Sequence, residues 1–267
     1  MTALQLENIT CRFAARGGLH VAVEHASVTV GEGEFVSLVG PTGCGKSTLL
    51  NAAAGLRRPD GGEVRVFGRP LAGRNEHAGY LFQGEALLPW RSARDNVAFG
   101  LALRAADPVQ ARATADDWLR RVGLAGHGDK YPHELSGGMR KRVALAQTLA
   151  VNPKILLMDE PFSALDVQTR VLMENELLAL WQQDRKSVLF VTHDLEEAIA
   201  LSDRVVVLGA GPASRPVGEF AIDLPRPRDV AEVRLTPRFL ELHRQLWDCL
   251  RDEVMKAHAT GMRADVQ

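Results

Sequence analysis

Apolar residues alternate with polar residues near the start of the chain and form continuous runs further along. The alternating positions are Leu4, Leu6 and Ile9, followed by valines within residues 21–30. A period of two residues is typical of strands that bury one face, and it predicts an antiparallel unit here. The continuous runs predict strands that are buried on both faces of a parallel sheet. These runs are residues Phe35–Val39, 155–158, 188–191 and 205–208.

Segments with helical periodicity separate these runs, at residues 46–54, 167–183 and Leu195–Leu201. The alternation of strands and helices predicts an α/β fold built around a parallel sheet. Before the second run, Pro59-Asp60-Gly61-Gly62 predicts a turn that leads into a short strand over residues 63–67.

Residues 84–150 interrupt the alternation with three consecutive helical patterns and no strand. The patterns cover residues 93–104, 109–122 and 136–150. We therefore expect an α-helical subdomain, inserted into a main domain that spans residues 1–228.

A proline-rich stretch, Leu224-Pro225-Arg226-Pro227-Arg228, precedes the last helical pattern. Thr236 and Pro237 then supply an N-cap and a first-turn proline, which predict a helix over residues 236–257. This helix would form most of a C-terminal extension, residues 229–267. Its apolar stripe is expected to pack on the core of the chain, with packing on a partner as the alternative. The stripe consists of Phe239, Leu242, Leu246, Leu250 and Val254.

Composition and charge narrow the classes of partner. The 267 residues carry 32 basic and 33 acidic side chains, so no broad basic surface is expected, and nucleic acid is not an expected partner. No run approaches the roughly 18 apolar residues of a membrane span, and no export signal is recognisable, so we expect a cytosolic protein. The spacing of Cys11, Cys44 and Cys249 predicts thiols rather than disulfides or zinc ligands.

The segment that follows the first buried run matches the phosphate-binding pattern GxxxxGK[ST]. Its glycines let successive backbone N–H groups point at phosphate oxygens, Lys46 adds a positive charge, and Ser47 offers a hydroxyl to magnesium. A glycine-rich turn without a ligand is the alternative. The candidate nucleotide-binding residues here are Gly40, Pro41, Thr42, Gly43, Cys44, Gly45, Lys46, Ser47 and Thr48. Because Cys44 would border the phosphates, we expect alkylation to block activity and ATP to protect this thiol.

Two carboxylates, Asp159 and Glu160, close the apolar run at residues 155–158. The first acid is placed to hold magnesium through water. The second can align or deprotonate the water that attacks the γ-phosphoryl group. A helix cap or a surface charge is the alternative for such a pair.

His193 and Gln83 follow two other buried strands of the predicted sheet. Parallel strands deliver their carboxyl ends to one crevice, so His193 is expected beside Glu160, where it could contact the γ-phosphate. Gln83 lies between a short apolar run and the helical insertion, where it could touch magnesium. A structural histidine and a plain surface amide are the respective alternatives.

The pentapeptide Leu135-Ser136-Gly137-Gly138-Met139 opens a predicted helix. A serine hydroxyl and unpaired backbone amides at a helix N-terminus can face an anion. An ordinary N-cap before an amphipathic helix is the alternative.

These segments, in this order, resemble the ATP-binding subunits of ATP-binding cassette (ABC) transporters over nearly the whole chain. The resemblance implies a P-loop NTPase core of the ABC ATPase type, with ATP and Mg²⁺ as cofactors and a second ATP-binding subunit as partner. It also implies that Phe13 stacks on adenine, that Asp166 belongs to the D-loop, and that Gln83 forms the Q-loop. Glu160 and His193 match the catalytic glutamate and switch histidine. Ser136, Gly137 and Gly138 would act in trans, on the nucleotide of the other subunit.

The chain departs from the family pattern at three positions. Met139 stands where glutamine is usual, Phe13 where tyrosine is more frequent, and Lys141 where related subunits often carry glutamine. A phenyl ring keeps a stacking face, and Ser136 and the glycine amides are intact, so we expect hydrolysis to survive.

Residues 84–91 and 95–97, together with the proline-rich stretch, resemble the branch that imports nitrate, sulfonates and taurine. This resemblance implies separate integral membrane permease subunits, an extracytoplasmic solute-binding protein, and a place on the inner face of the membrane. Leu88 and Trp90 would suit a groove for the permease, or would instead anchor the helical insertion. A non-transport ABC ATPase and a nucleotide-sensing subunit without hydrolysis are the alternative functions.

Overall fold

The computed structural model describes residues 1–15 and 18–264, and its strands form two sheets. The four-stranded sheet has the order β2-β1-β4-β5 and is antiparallel. The six-stranded sheet has the order β10-β9-β3-β8-β7-β6, and only β10 within it is antiparallel to its neighbour. The strands are β1 (Thr2–Ala15), β2 (Gly18–Gly31), β3 (Phe35–Val39), β4 (Gly61–Val66), β5 (Arg69–Pro70), β6 (Ala78–Leu81), β7 (Ile155–Asp159), β8 (Ser187–Val191), β9 (Arg204–Leu208) and β10 (Pro216–Ala221).

Helices flank the six-stranded sheet or stand apart from it. The sequence predictions of an α/β core, an antiparallel N-terminal unit and consecutive helices over 84–150 are confirmed. The α-helices are α1 (Lys46–Ala53), α2 (Ala93–Leu103), α3 (Pro108–Arg121), α4 (Gly137–Ala150), α5 (Val167–Asp184), α6 (Leu195–Leu201), α7 (Val230–Val233) and α8 (Pro237–Ala264), and Pro132–Glu134 forms a 3-10 helix.

The parallel strands are buried on both faces, as their continuous apolar sequences require. Every residue of β3 and β8 is buried. One face packs on α1 and the antiparallel sheet, through residues such as Leu49 and Leu38. The other face packs on α5, α6 and α8, with Phe35, Trp181 and Phe190 at its centre. The sheet therefore holds the carboxyl ends of its strands at fixed spacing.

Helices α2, α3 and α4 share an apolar cluster of their own. Val97 of α2, Leu119 of α3 and Val143 of α4 are buried in it. The prediction that the C-terminal stripe packs on the core is also confirmed, because Phe239, Leu242, Leu246 and Leu250 are buried in the main cluster, and Val254 packs against it. Helix α8 runs to Ala264, further than the predicted end at residue 257.

The predicted turn at residues 59–62 is wrong for its two glycines, which already belong to β4. The antiparallel pairing of β1 with β4 shifts register between Glu7 and Thr10. At this irregularity Gly62 has a φ of 83°, and a Cβ there would lie 2.3 Å from the carbonyl oxygen of Glu7. The glycine therefore allows close approach of two strands at a bulge rather than a chain reversal.

Candidate nucleotide-binding and catalytic site

The loop between β3 and α1 forms the floor of the candidate site. Lys46 is buried, and its Nζ donates hydrogen bonds to the carbonyl oxygens of Gly40, at 2.8 Å, and Pro41, at 3.1 Å. Gly45 precedes the helix with a φ of 93°, and a Cβ there would lie 2.4 Å from Cγ1 of Val23. A glycine is thus required where the loop enters α1, and the ammonium group is held against the loop.

Ser47 and Asp159 bring a hydroxyl and a carboxylate together. The Ser47 Oγ donates a 2.9 Å hydrogen bond to Oδ1 of Asp159, and the Tyr80 hydroxyl lies 3.5 Å from Oδ2. Burial raises the pKa of Asp159, and the charge of Glu160 raises it further, against the lowering effect of the Ser47 hydrogen bond. A partly desolvated carboxylate beside a hydroxyl is a set of oxygen donors that fits Mg²⁺.

Glu160 and His193 are in direct contact. Nδ1 of His193 lies 2.9 Å from Oε2 of Glu160, whose side chain is 19% exposed. Because an ionised carboxylate only accepts hydrogen bonds, Nδ1 carries the proton in this contact and Nε2 is left for a ligand. Glu160 has a φ of 42°, and its backbone N–H donates to the carbonyl oxygen of Val191, which ties it to the end of β8. The pair thus sits across the ends of two adjacent strands.

Lys46, Ser47, Glu160 and His193 border one cleft of about 540 Å³, whereas Asp159 is not among its lining residues and contacts it through Ser47. The cleft contains most of the predicted nucleotide-binding residues, together with Glu160 and His193. Its lining residues are Phe13, His20, Ala22, Thr42, Gly43, Gly45, Lys46, Ser47, Thr48, Gln83, Glu160 and His193. Cys44 lies beneath the loop surface and is wholly buried, and burial raises the pKa of its thiol.

The pentapeptide Leu135-Ser136-Gly137-Gly138-Met139, called the signature segment below, does not line this cleft. Ser136 is the N-cap of α4, and its Oγ accepts the backbone N–H of Met139 at 3.3 Å. The Met139 side chain packs against the apolar cluster of the helical subdomain. Asp166 is likewise a helix cap outside the cleft, since its side chain accepts the N–H of Thr169 at 3.0 Å at the start of α5. These residues are placed at helix ends rather than on the phosphate loop of the same chain.

Lys141, one of the departures from the family pattern, links α4 to the Gln83 segment. Its Nζ donates a hydrogen bond to the carbonyl oxygen of Gln83. Burial lowers the pKa of this lysine, and the charge of Glu85 opposes that effect. Arg140 adds a weaker contact, with its Nε 3.4 Å from Oε1 of Glu85. The helix that carries the signature is therefore joined to the segment that reaches the cleft.

Asn96 organises the loop that leads from Gln83 into α2. It is wholly buried: its Oδ1 accepts the N–H of Leu88 at 2.7 Å, and its Nδ2 donates to the carbonyl oxygens of Leu88, Arg91 and Ser92 at 3.0–3.1 Å. Trp90, at the tip of this loop, is 71% exposed. The loop is thus closed from inside by one amide while its tryptophan faces outward.

Sequence reasoning did not single out four residues that shape the site. Tyr80 joins Asp159 to Asn51, with its hydroxyl 3.1 Å from Oδ1 of Asn51. His20 lines the cleft, Arg57 stacks on Phe13, and Asn96 closes the loop described above. Of these four residues, only Asn96 lies in a segment, residues 95–97, that resembles the nitrate, sulfonate and taurine branch. That resemblance is the signal by which the sequence could have identified it.

Comparison with known proteins agrees with this geometry. Residues 23–163 match the family described as ABC transporter. The chain is 46% identical over 254 residues to an uncharacterised ABC transporter ATP-binding protein of Methanocaldococcus jannaschii, a match that covers 95% of this chain and 93% of the relative. It is 42% identical to a nitrate import ATP-binding protein of Synechococcus elongatus, covering 89% and 88% of the two chains. It is 41% identical to the taurine import ATP-binding protein TauB of Burkholderia pseudomallei, covering 95% and 98%.

The fold is also similar to a solved dimeric ATP-binding cassette in a post-hydrolysis state with bound ADP and Pi. The TM-score is 0.74 at 31% identity, and the match covers 83% of this chain and 100% of the cassette. The chain belongs to the ABC transporter family. Within that family it is an ATP-binding subunit with ATPase activity, which confirms the sequence interpretation. No helix among residues 1–15 and 18–264 is long and apolar enough to cross a membrane.

Proposed function

We propose that this chain is the ATP-hydrolysing subunit of an importer for a small solute, an anion such as nitrate, a sulfonate or taurine. The observation that carries the ATPase role is the 2.9 Å contact between Glu160 and His193 in the cleft that also contains Lys46. The relatives named as nitrate and taurine import proteins support the transport role. The matches extend over most of this chain and most of each relative, which supports the same domain organisation in all three proteins.

The roles of the side chains follow from their chemistry. Lys46 binds phosphate oxygens, and Glu160 orients or accepts a proton from the attacking water, an effect typically worth about 10²–10⁴ in rate. His193 would donate Nε2–H to the γ-phosphate, which requires a ring protonated on both nitrogens, because Nδ1–H is donated to Glu160. Ser47, Asp159 and Gln83 would hold Mg²⁺, which when bound neutralises phosphate charge. Phe13 receives the adenine, and the loop from Gly40 to Thr48 surrounds the phosphates.

The residues that are proposed to act on ATP but do not line the cleft indicate which partners this chain needs. Ser136, Gly137 and Gly138, with Asp166 nearby in the D-loop, would complete the site of a second copy, so the working unit is a homodimer. The dimeric state of the similar cassette supports this arrangement. The loop that exposes Trp90 would contact integral membrane permease subunits, and a solute-binding protein would act outside the cell. The chain would work in the cytoplasm, on the inner face of the membrane.

We propose that residues 1–228 form the ABC ATPase domain, with a helical subdomain at about 84–150 and an extension at 229–267. Phe35 and Leu246 share one apolar cluster, so this extension is packed on the domain that it follows. The packing of residues 230–254 on this cluster supports treating the described part of the extension as part of one folded unit.

Phosphate release from the purified protein tests the ATPase role. Glu160→Gln is expected to bind Mg-ATP, to release phosphate at least about 10²-fold more slowly, and to accumulate as an ATP-bound dimer in size-exclusion chromatography. Glu196→Gln, an exposed neighbour on α6, is the matched control and should keep wild-type turnover. Wild-type turnover in Glu160→Gln would contradict the assigned role, and negligible release by the wild type would favour a nucleotide sensor.

Growth of the native host tests the transport role. Deletion of the coding sequence is expected to abolish growth at low external nitrate, alkylsulfonate or taurine as the sole nitrogen or sulfur source. Complementation with the wild type should restore growth, and complementation with Glu160→Gln should not. Unchanged uptake of all three solutes in the deletion strain would exclude this group of substrates and favour a non-transport ATPase.

A further inference from the structure

Phe13 and Arg57 are in contact but line different cavities. Phe13 lines the nucleotide cleft, and Arg57 does not. Arg57 lines a cavity of about 760 Å³ between the end of α1 and strand β4, and Phe13 does not. The Arg57 guanidinium carbon stands 3.8 Å from the centroid of the Phe13 ring. One face of the phenyl ring is therefore covered by a cation that is not among the residues lining the cleft.

Arg57 is held in this position by the strand that carries Phe13. Its guanidinium donates a hydrogen bond to the carbonyl oxygen of Arg12 and lies 3.6 Å from Oδ2 of Asp60. The same Asp60 oxygen accepts the backbone N–H of Arg12 at 2.7 Å. The backbone of Arg57 is bonded in turn to the carbonyl oxygen of Asn51 in α1. Arg57 therefore bonds the carbonyl oxygen of Arg12, the residue before Phe13, and Asp60 accepts the backbone N–H of the same residue.

These contacts of Arg57 and Asp60 with Arg12 lie just beyond the point where β1 stops pairing with β4. Strand β1 pairs with β4 only as far as Thr10, whose partner is Gly61. Beyond that point β2 is the one strand among the described residues that pairs with β1, with Phe13 opposite His20. A two-stranded ribbon is marginally stable by itself, so the aromatic ring needs another support to keep a fixed orientation. Arg57 and Asp60 provide that support from the α1 side.

We propose that Arg57 is a positioning residue for the base of the nucleotide. By stacking on the far face of Phe13 and fixing Arg12, it presents the near face of the ring to the adenine, so that base, phenyl and guanidinium form one stack. A cation over an aromatic face is attractive, and a ring that is already oriented loses less entropy on binding. This inference rests on the proposed function, in which Phe13 receives the adenine.

The distinguishing property of such a residue is that it acts on the base and not on the phosphates. Arg57→Ala is expected to raise the Kd of Mg-ATP and the KM for ATP by about 3- to 10-fold, the range for one lost cation–π contact plus lost orientation. The Kd of Mg-tripolyphosphate, which has no base, should change by less than about twofold, as should kcat at saturating ATP. Arg58→Ala is the matched control, since Arg58 is exposed on the same loop, and it should bind both ligands as the wild type does.

A double-mutant cycle with Phe13→Ala separates this proposal from the function on which it rests. Arg57→Ala should have no further effect on ATP affinity once the ring is gone, because the guanidinium acts through the ring. Additive effects of the two substitutions, or an equal loss of tripolyphosphate binding, would overturn the proposal for Arg57. If Phe13→Ala weakens ATP binding and Arg57→Ala does not, only the inference fails. If Phe13→Ala binds ATP normally, the proposed role of Phe13 fails as well.

Thermal melting of each variant guards against a general loss of structure. If Arg57→Ala lowers the melting temperature by more than a few degrees, Arg57→Gln replaces it, because the amide keeps a hydrogen-bond donor at this position while the cation is absent. Weakened ATP binding with intact tripolyphosphate binding in this second variant supports the stack, and unchanged ATP binding overturns it.

Discussion

The hydroxyl of Ser47 donates a 2.9 Å hydrogen bond to Oδ1 of Asp159, which joins the first turn of α1 to the end of β7. The two residues are 112 positions apart in the sequence, and the parallel register of β3, β8 and β7 brings them together. This hydroxyl and this carboxylate are two of the oxygen groups proposed to hold a divalent cation.

Asp159→Asn is expected to lower Mg-dependent ATP hydrolysis by at least about 10²-fold, because the amide removes the negative charge that attracts the cation. Binding of ATP in the presence of EDTA should change by only a few-fold. Tyr80→Phe is the control: it removes the other polar contact to Asp159 and should leave turnover within a few-fold. Phosphate release measured over a Mg²⁺ titration checks this, and full activity of Asp159→Asn at low Mg²⁺ would contradict it.

The buried carboxyl of Glu174 predicts a pH-dependent stability. Burial raises its pKa from 4.5 to about 8, although Arg234, 3.1 Å away, acts in the opposite direction. The folded state therefore holds a proton that the unfolded state releases near pH 4.5. The contribution of Glu174 to the free energy of unfolding is fully present below pH 4.5 and is lost as the pH rises towards 8.

Glu174→Gln cannot lose this proton, so its stability relative to wild type should increase between pH 5 and pH 8, by on the order of 1 kcal/mol or more. Glu196→Gln is the control, because Glu196 faces the same Arg234 but its side chain is 52% exposed. Urea unfolding at several pH values measures the difference. A constant difference between Glu174→Gln and wild type across this range would contradict the predicted proton uptake.

The burial of Cys44 revises the expectation that ATP protects it from alkylation. Thiolate is the reactive form, and burial both hides the sulfur and raises the pKa of the thiol. In the native protein at pH 8, iodoacetamide should modify Cys44 at least about tenfold more slowly than the partly buried Cys249, with or without ATP. Peptide mass spectrometry over time measures both rates, and urea should make them similar. Fast modification of Cys44 that ATP suppresses would restore the original expectation.

Met139→Gln is expected to leave ATP hydrolysis within a few-fold of wild type. The Met139 side chain packs on the helical subdomain, and only its backbone N–H contacts Ser136. Ser136→Ala, which removes the N-cap hydroxyl proposed to face phosphate, is the contrasting variant and should lower turnover much more. Steady-state kinetics of both proteins decide this, and a large loss in Met139→Gln alone would show that position 139 takes part in the site.

The positions of the buried parallel strands along the chain and the phosphate loop could be predicted because their signals are local. The run Phe35–Val39 and the following glycine-rich loop each specify one conformation within about ten residues. The contact of His193 with Glu160 also followed from sequence, since both residues end adjacent parallel strands.

Other features depend on tertiary register and have no local signal. Strand β10 alternates between half-buried and exposed residues and begins with a proline, so its pattern does not separate it from a loop. Gly62 looked like a turn residue because a bulge and a turn both favour a positive φ. The stack of Arg57 on Phe13 joins a residue of the loop after α1 to a residue of β1, and no periodicity encodes their spacing.

The four hydrogen bonds of Asn96 bear on how this chain would choose its membrane partner. A loop that is already closed by a buried amide has little conformational freedom left to lose when a partner docks on it. The binding free energy would then come mainly from exposed side chains such as Trp90, while the backbone beneath them stays the same. Under selection, partner choice could change by single substitutions at the loop tip, with the catalytic cleft left untouched.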